Sequence, residues 1–443
     1  MRFALCDCNN FFVSCERLLR PDLEGKPVIV LSCNDGCVIS RSNEAKALGI
    51  PMAEPFFKIA ALAKAHDVAV FSTNFALYHE VSRRVMAVLS RYTDRMETYS
   101  VDEAFLDLSI ASLADPVEYA RGIRRALLEE TGIPVSIGIA STKTLAKLAA
   151  ERGKKDPETG GVFSLEGLDL DAFLEKVPVG DVWGIGRRCT ESLSRSGIRT
   201  ARQFRDAKDD WLRRHFSVRG VHTAWELRGI SCIRLVEEDP AQKSIQASRS
   251  FGTPVTDLES LKEAVAGHVV SAGERLRSQG LAARALQVYI STSRFRGNLF
   301  APAVTLKMDA PTSSNLVLVK AALEGLERIY APGHAFTKTG VTLLELSPDG
   351  VTQQGLFDEE EVLLKRKKDR ALMAAVDEVN RALGEGTLQP ALLFSKEREW
   401  EPKHEKLSEG LREGLDVRPE KPGLRPGLRR GRRQRLACPG HPL

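Results

Sequence analysis

A chain of 443 residues is too long for one ordinary core, so two to four domains are expected. With 43% hydrophobic and 28% charged residues it has the composition of a soluble globular protein, which excludes a collagen-like or wholly disordered chain. No apolar run approaches the roughly 20 residues that cross a bilayer, and the start MRFALCDCNN lacks the basic-then-apolar layout of a secretion signal, so a cytoplasmic protein without a membrane partner is expected.

The net charge of +5 is uneven. Residues 418–443 hold eight Arg or Lys and one Glu, which leaves the preceding 417 residues at −2. Overall charge therefore does not point to nucleic acid, and only local clusters could. Eight cysteines in so long a chain do not make a disulfide framework. Cys6, Cys8, Cys33 and Cys37 have spacings that can hold zinc, but they lie in apolar or strand-like surroundings where cysteine serves as a small hydrophobe.

In chain order, residues 2–7 (RFALCD) read as a short buried strand, followed by an amphipathic helix over 11–19. Residues 27–31 (PVIVL) and 37–40 (CVIS) are further strands, and 43–48 (NEAKAL) opens a helix. The stretch METYSVDEAFLDLS at 96–109 alternates like a strand on either side of an acidic pair, which predicts a hairpin with Asp102 and Glu103 near its tip. A helix over 116–131, a strand over 134–140 (PVSIGIA) and a helix over 144–152 complete an α/β layer of about 165 residues. Short helices joined by Gly-containing turns follow to about residue 233. After a polar segment at 236–243, residues 244–347 carry two long helical patterns and three apolar strands, among them ALQVYIS and GVTLLEL, expected to form a separate α+β domain. A charged helix at 359–383 precedes a tail rich in Arg, Pro and Gly that is expected to be disordered.

Asp7 ends a buried strand, where a carboxylate is costly unless a cation or donors satisfy it. The neighbouring charges of Asp102 and Glu103 repel, and a bound cation would offset that repulsion. Three carboxylates without imidazole or thiolate donors suit magnesium or manganese, two of which can support phosphoryl transfer. Taken alone, however, Asp7 reads better as a turn residue and the pair as a solvated hairpin tip.

The flanking residues change that reading. DCNNFFVSCE from Asp7 and YSVDEAFLDLS from Tyr99 closely resemble the two palm motifs of Y-family translesion DNA polymerases. DGCVISRSNEAKALGI from Asp35, GIASTKTLAKLAAERGKK from Gly138, VWGIG from Val182 and KSIQASRSFG from Lys243 agree in the same order. The resemblance covers roughly residues 1–383 and is closest to the UmuC branch, the catalytic subunits of bacterial DNA polymerase V.

The resemblance implies a multidomain α+β right-hand polymerase. Its ferredoxin-like palm would span 1–11 and 67–165, small fingers 12–66, a helical thumb with a helix-hairpin-helix 166–235, an α+β little finger 243–348, and a clamp-binding and partner-docking region 349–443. It implies error-prone translesion synthesis in the SOS response to DNA damage, with dNTPs added to a primer 3′-hydroxyl on primer-template DNA. Two magnesium ions, or manganese, would be held by Asp7, Asp102, Glu103 and the main-chain carbonyl of Cys8. Phe12 falls where the family places the aromatic ring that excludes a 2′-hydroxyl, although UmuC-like chains often carry Tyr there. Ser40, Lys46 and Lys154 match positions that reach the triphosphate, while other branches have Tyr and Arg at Asn43 and Lys46. Gly184 and Gly186 would present backbone N–H groups to a DNA phosphate, and Lys243, Arg249 and the RFR run at 294–296 would follow the duplex backbone. Gln353, Leu356 and Phe357 of QQGLF resemble the peptide that docks on the sliding clamp.

After about Leu407 the sequence departs from the family. Its composition there fits either a reading-frame change or a basic tail for nucleic acid, and the departure puts docking of the processed UmuD dimer and of RecA in doubt. Two other readings stay open: a non-polymerising DNA- and clamp-binding scaffold, and a two-metal nuclease, which would have no use for a sugar gate.

Overall fold

The computed structural model describes residues 1–109, 113–237, 241–295, 297–349, 360–384, 386–393 and 405–408. In chain order the first 164 residues form β1 (Phe3–Cys8), α1 (Phe11–Leu19), β2 (Val28–Leu31), β3 (Val38–Arg41), α2 (Asn43–Ala47), α3 (Phe56–Ala65), β4 (Ala69–Ser72), α4 (Phe75–Leu89), β5 (Met96–Thr98), β6 (Glu103–Asp107), α5 (Pro116–Thr131), β7 (Val135–Ala140), α6 (Lys143–Lys155) and β8 (Val162–Ser164). They build a five-stranded sheet ordered β5-β6-β1-β7-β8 and a three-stranded sheet ordered β3-β2-β4.

Strand β1 is buried along its length except at Asp7, and β7 is buried throughout, because both lie inside the sheet with helices on either face. Strand alternation sorts the side chains of β1. Ala4, Cys6 and Cys8 join the core beneath α1, α4 and α5, while Phe3 and Leu5 join the core beneath α6. Asp7 therefore falls on the α6 side. Cys6 and Cys8 are thus small core hydrophobes, their thiols pushed up by burial first, then by Asp7 at Cys6 and by Cys6 and Asp102 at Cys8. Helix α6 lies close on this face because Gly138 has no side chain: a Cβ there would be 2.0 Å from the amide nitrogen of Ala150 and 2.3 Å from the carbonyl oxygen of Ala146.

The next helices are α7 (Leu170–Glu175), α8 (Arg187–Arg195), α9 (Ala201–Asp206) and α10 (Asp209–Leu227), the last bent at Ser217, whose φ is 60°. They share one apolar core with α6, through residues such as Leu174, Val182, Phe204 and Leu227. Fully buried Glu226 closes this joint, accepting from the amides of Thr144, Cys232 and Ile233.

The third unit comprises β9 (Ile245–Val255), α11 (Leu258–Ser278), β10 (Leu281–Thr292), β11 (Ala303–Thr312), α12 (Asn315–Ile329) and β12 (Phe336–Pro348), an antiparallel sheet ordered β11-β10-β12-β9. It has four strands where the pattern predicted three. The central pair β10 and β12 carries the apolar signal, whereas edge strand β11 buries no residue and so reads as polar. Helix α13 (Glu360–Leu383) is pinned to α11 by a bidentate Arg277–Asp377 pair at 2.6 and 2.7 Å. Residues 405–408 return to the end of β4, where the Ser72 amide donates to the Lys406 carbonyl at 3.0 Å.

Gly138→Ala should cost at least ~3 kcal/mol, because the colliding atoms are backbone and cannot rotate away. Urea unfolding of the two proteins measures the difference.

Candidate active site

The antiparallel register of β1 and β6 sets Asp7 directly opposite Glu103. The turn before β6 closes with the Tyr99 and Ser100 amides donating to the Glu103 carbonyl at 3.0 and 3.1 Å, and the Cys8 amide donates to the Asp102 carbonyl at 2.8 Å. Asp7 and the Asp102–Glu103 pair, 95 residues apart at the nearest in the chain, thus share one end of the sheet.

Each carboxylate has its own partner. Lys154 Nζ lies 2.7 Å from Asp7 Oδ1, Lys147 Nζ lies 3.1 and 2.9 Å from the two Glu103 oxygens, and Ser100 Oγ donates to Asp102 Oδ1 at 2.6 Å. Burial pushes the Asp7 carboxyl up to about 6; the charges of Glu103 and Asp102 add to the rise, and Lys154 opposes it. Burial would lower the Lys154 ammonium, but the Asp7 charge and hydrogen bond outweigh it and hold the group above its ordinary value.

This donor set has the chemistry of a hard-cation site: carboxylate oxygens alone, with negative charge only partly compensated at Asp7. In their present orientations the carboxylates are parked on separate partners, and among the described residues no three acidic side chains form a ready ligand cluster. Divalent ions would draw Asp7 and Glu103 from their lysines.

A cleft of about 710 Å³ opens beside the carboxylates, lined by Cys8, Phe12, Ser40, Lys46, Asp102 and Lys154 among others. Asn10, at the start of α1, has a left-handed backbone with φ 48°. Its side chain accepts from Lys46 Nζ at 2.7 Å, and Asn43 accepts from the same ammonium at 3.3 Å. Burial, then the charges of Lys154 and Arg41, lower the Lys46 ammonium. Ser40 is 7% exposed on β3. The Phe12 ring stacks on Tyr78 at 4.4 Å and 16°, with Phe75 edge-on at 6.3 Å. Tyr78 is locked in turn, its hydroxyl donating to buried Glu16 at 2.6 Å.

The other predicted contacts lie elsewhere. Gly184, with φ 86°, and Gly186 form the turn that starts α8; the element before this turn is a single 3-10 turn at Val179–Asp181. Lys243 precedes β9 and Arg249 lies on it, both exposed, and the Ser250 carbonyl beside Arg249 accepts from Asn34 Nδ2 at 2.8 Å. Arg294 is exposed. Arg296, Gln353, Leu356, Phe357 and the tail from 409 lie outside the described residues. Lys147 was not singled out in the sequence, although a signal existed: it precedes Lys154 by two helical turns, which puts both ammoniums on one face of α6.

Solved Y-family DNA polymerases share this fold. A chimera of the polymerases Dbh and Dpo4 superposes with a TM-score of 0.64 at 23% identity, covering 78% of this chain and 99% of that one. Residues 6–151 match the impB/mucB/samB family, 242–356 match the C-terminal domain of that family, and 370–410 match a domain of unknown function. Protein UmuC of Salmonella typhimurium is 40% identical over 411 residues, 92% of this chain and 96% of that protein. DNA polymerase IV of Desulfatibacillum aliphaticivorans is 30% identical over 394 residues, 88% of this chain and 96% of its own. The chain belongs to the impB/mucB/samB family.

In the metal-free protein Asp7 should titrate near pH 6. Removing the opposing charge with Lys154→Met should move that titration upward, as read from the carboxyl carbon resonance against pH; a downward move would contradict the pairing.

Proposed function

We propose that this chain is a template-directed DNA polymerase that adds dNTPs to a primer 3′-hydroxyl across damaged template, in the SOS response. The reading rests on one arrangement: three carboxylates at one sheet end, with Asp102 lining a cleft that also presents the Phe12 ring and the lysines Lys46, Lys154 and Lys155. Family membership and the Y-family fold support it. The scaffold reading, which keeps the carboxylates and turns on the altered C-terminus, finds no support among the relatives, which include DNA polymerase IV at 30% identity.

Asp7, Asp102, Glu103 and the Cys8 carbonyl would hold two magnesium or manganese ions. Such ions polarise the α-phosphate and lower the pKa of an attacking hydroxyl. The chain's own groups position the reactants. Lys46 is held by two neutral amide oxygens that leave its charge uncompensated for a phosphate, and Lys154 shares its charge between Asp7 and the cleft. Ser40 adds a hydroxyl at the same wall. Phe12, fixed by its stack on Tyr78, excludes a 2′-hydroxyl by occupying the space it would need.

The turn of Gly184 and Gly186 would take a DNA phosphate on its amides, and Lys243 and Arg249 would follow the duplex. Residues 166–235 then act as thumb and 243–348 as little finger around a palm of 1–11 and 67–165, with fingers at 12–66. Gln353, Leu356 and Phe357 would dock on a sliding clamp, and the region from 349 onward would meet a processed UmuD dimer and RecA. These reactions would take place in the cytoplasm.

Primer extension past an abasic site in magnesium tests the reading. Asp102→Ala should lower addition at least ~1,000-fold against wild type, as expected for loss of a group that stabilises the transition state; equal extension would end the polymerase interpretation. Phe12→Ala should raise ribonucleotide use about 100-fold relative to dNTPs, and unchanged sugar selection would remove the ring from that role.

A further inference from the structure

Beyond the carboxylates themselves, a cluster of polar and ring contacts lies where the VWGIG turn meets the 96–107 hairpin. Trp183 donates its indole N–H to Tyr99 Oη at 3.1 Å, and the two rings meet edge to face at 5.5 Å. Lys147 Nζ sits 4.3 Å from the centre of the Tyr99 ring and 5.4 Å from that of Trp183. On its other side the same ammonium holds both oxygens of Glu103. One helical turn earlier, Lys143 is buried against Glu97 at 2.6 Å and lies 5.8 Å from the Trp183 ring. Trp183 is therefore held by two lysines of α6 and by the hairpin that starts at Met96.

We propose that Trp183 and Tyr99 are positioning residues for Glu103, acting through Lys147. The inference rests on the reading of Glu103 as a catalytic carboxylate. An ammonium is attracted to the faces of aromatic rings, so the wall of Tyr99 and Trp183 fixes Lys147 independently of its ion pair. This matters because Lys147 and a divalent cation compete for Glu103. With only the carboxylate to hold it, the ammonium would stay on Glu103 and oppose the ion; with the rings beside it, it can remain in place while Glu103 turns. The main chain couples the parts as well, since the Tyr99 amide donates to the Glu103 carbonyl. The Trp183–Tyr99 bond thereby ties the carboxylate to the turn that carries Gly184 and Gly186, so that the phosphate grip and the reacting end of the sheet are set together.

A double-mutant cycle of Trp183→Leu and Lys147→Met tests this, with Trp183→Phe as the conservative variant. Three quantities are measured: the maximal single-turnover rate of nucleotide addition, primer-template affinity by anisotropy, and Mn²⁺ affinity of the nucleotide-free DNA complex by calorimetry. Trp183→Leu should lower the maximal rate about tenfold and weaken Mn²⁺ binding about fivefold, with primer-template affinity kept within about twofold. Trp183→Phe should restore most of both losses. In the Lys147→Met background Trp183→Leu should add less than about twofold. The same loss in both backgrounds, or a loss confined to primer-template affinity, overturns the proposal and leaves Trp183 as a packing residue of the turn. Should thermal melting show Trp183→Leu to be unfolded, Tyr99→Phe, which removes only the bonded hydroxyl, runs the same cycle with an expected loss of about threefold and the same two overturning outcomes. Asp102→Ala measured alongside separates the two levels, because activity surviving there sinks the polymerase reading whatever the cycle shows.

Discussion

Crowded negative charge at the end of a buried strand is the constraint that orders the first 164 residues. Asp7 cannot avoid Glu103, because the register of β1 and β6 places them opposite one another, and only 20% of its side chain reaches water, because β1 is an inner strand. The repulsion is offset from one direction only. Helix α6 supplies Lys147 and Lys154 on a single face, and it reaches the carboxylates because Gly138 lets its backbone lie against β7. Burial first, and the charges of Glu103 and Asp102 after it, keep the Asp7 carboxyl above its ordinary range in spite of Lys154.

The same helix joins the first 164 residues to the neighbouring helical unit. Its N-terminal turn receives the buried carboxylate of Glu226, a negative charge at the positive end of a helix that also satisfies the amides of Cys232 and Ile233. Beside it, Glu97 binds Lys143 and the Val236 amide, with 1% of the lysine side chain exposed. Buried ion pairs of this kind contribute little net stability, yet removing one partner leaves a charge without solvent. Their effect is on geometry: they fix the exit of the chain towards β9 relative to the hairpin that carries Asp102 and Glu103.

Backbone elements were largely legible in the sequence, because their signals are local. The helix at Pro116–Thr131 has Asp115 capping its first amides and Gly132 closing it at φ 70°, and the strand at Val135–Ala140 sets Val135, Ile137 and Ile139 in alternation with small residues. Strand β11 was not legible, since an edge strand with one open face has no apolar surplus to reveal it. At the site, residue types and motif order pointed to Asp7, Asp102 and Glu103, but the pairings did not follow. Lys154 reads as a phosphate contact from the motif alone, while in the fold it is already bonded to Asp7. Lys147 and Trp183 were passed over because their meaning comes from residues 44 and 84 positions away.

The wall of the cleft at Phe12 is held by ordinary core residues. A phenyl ring could exclude an extra hydroxyl, the role proposed for Phe12, only if it cannot swing aside, and Phe12 is partly open to the cleft. Tyr78 lies flat against it and is itself prevented from turning, because its hydroxyl is spent on Glu16 within the core. Burial raises the Glu16 carboxyl, and that group is reached from outside by Ser408, which also accepts from Asn74. The short return of chain at 405–408 therefore reaches the carboxyl that holds Tyr78. The constraint that holds the Phe12 ring acts through its face, stacked on Tyr78, and needs no hydroxyl on Phe12 itself.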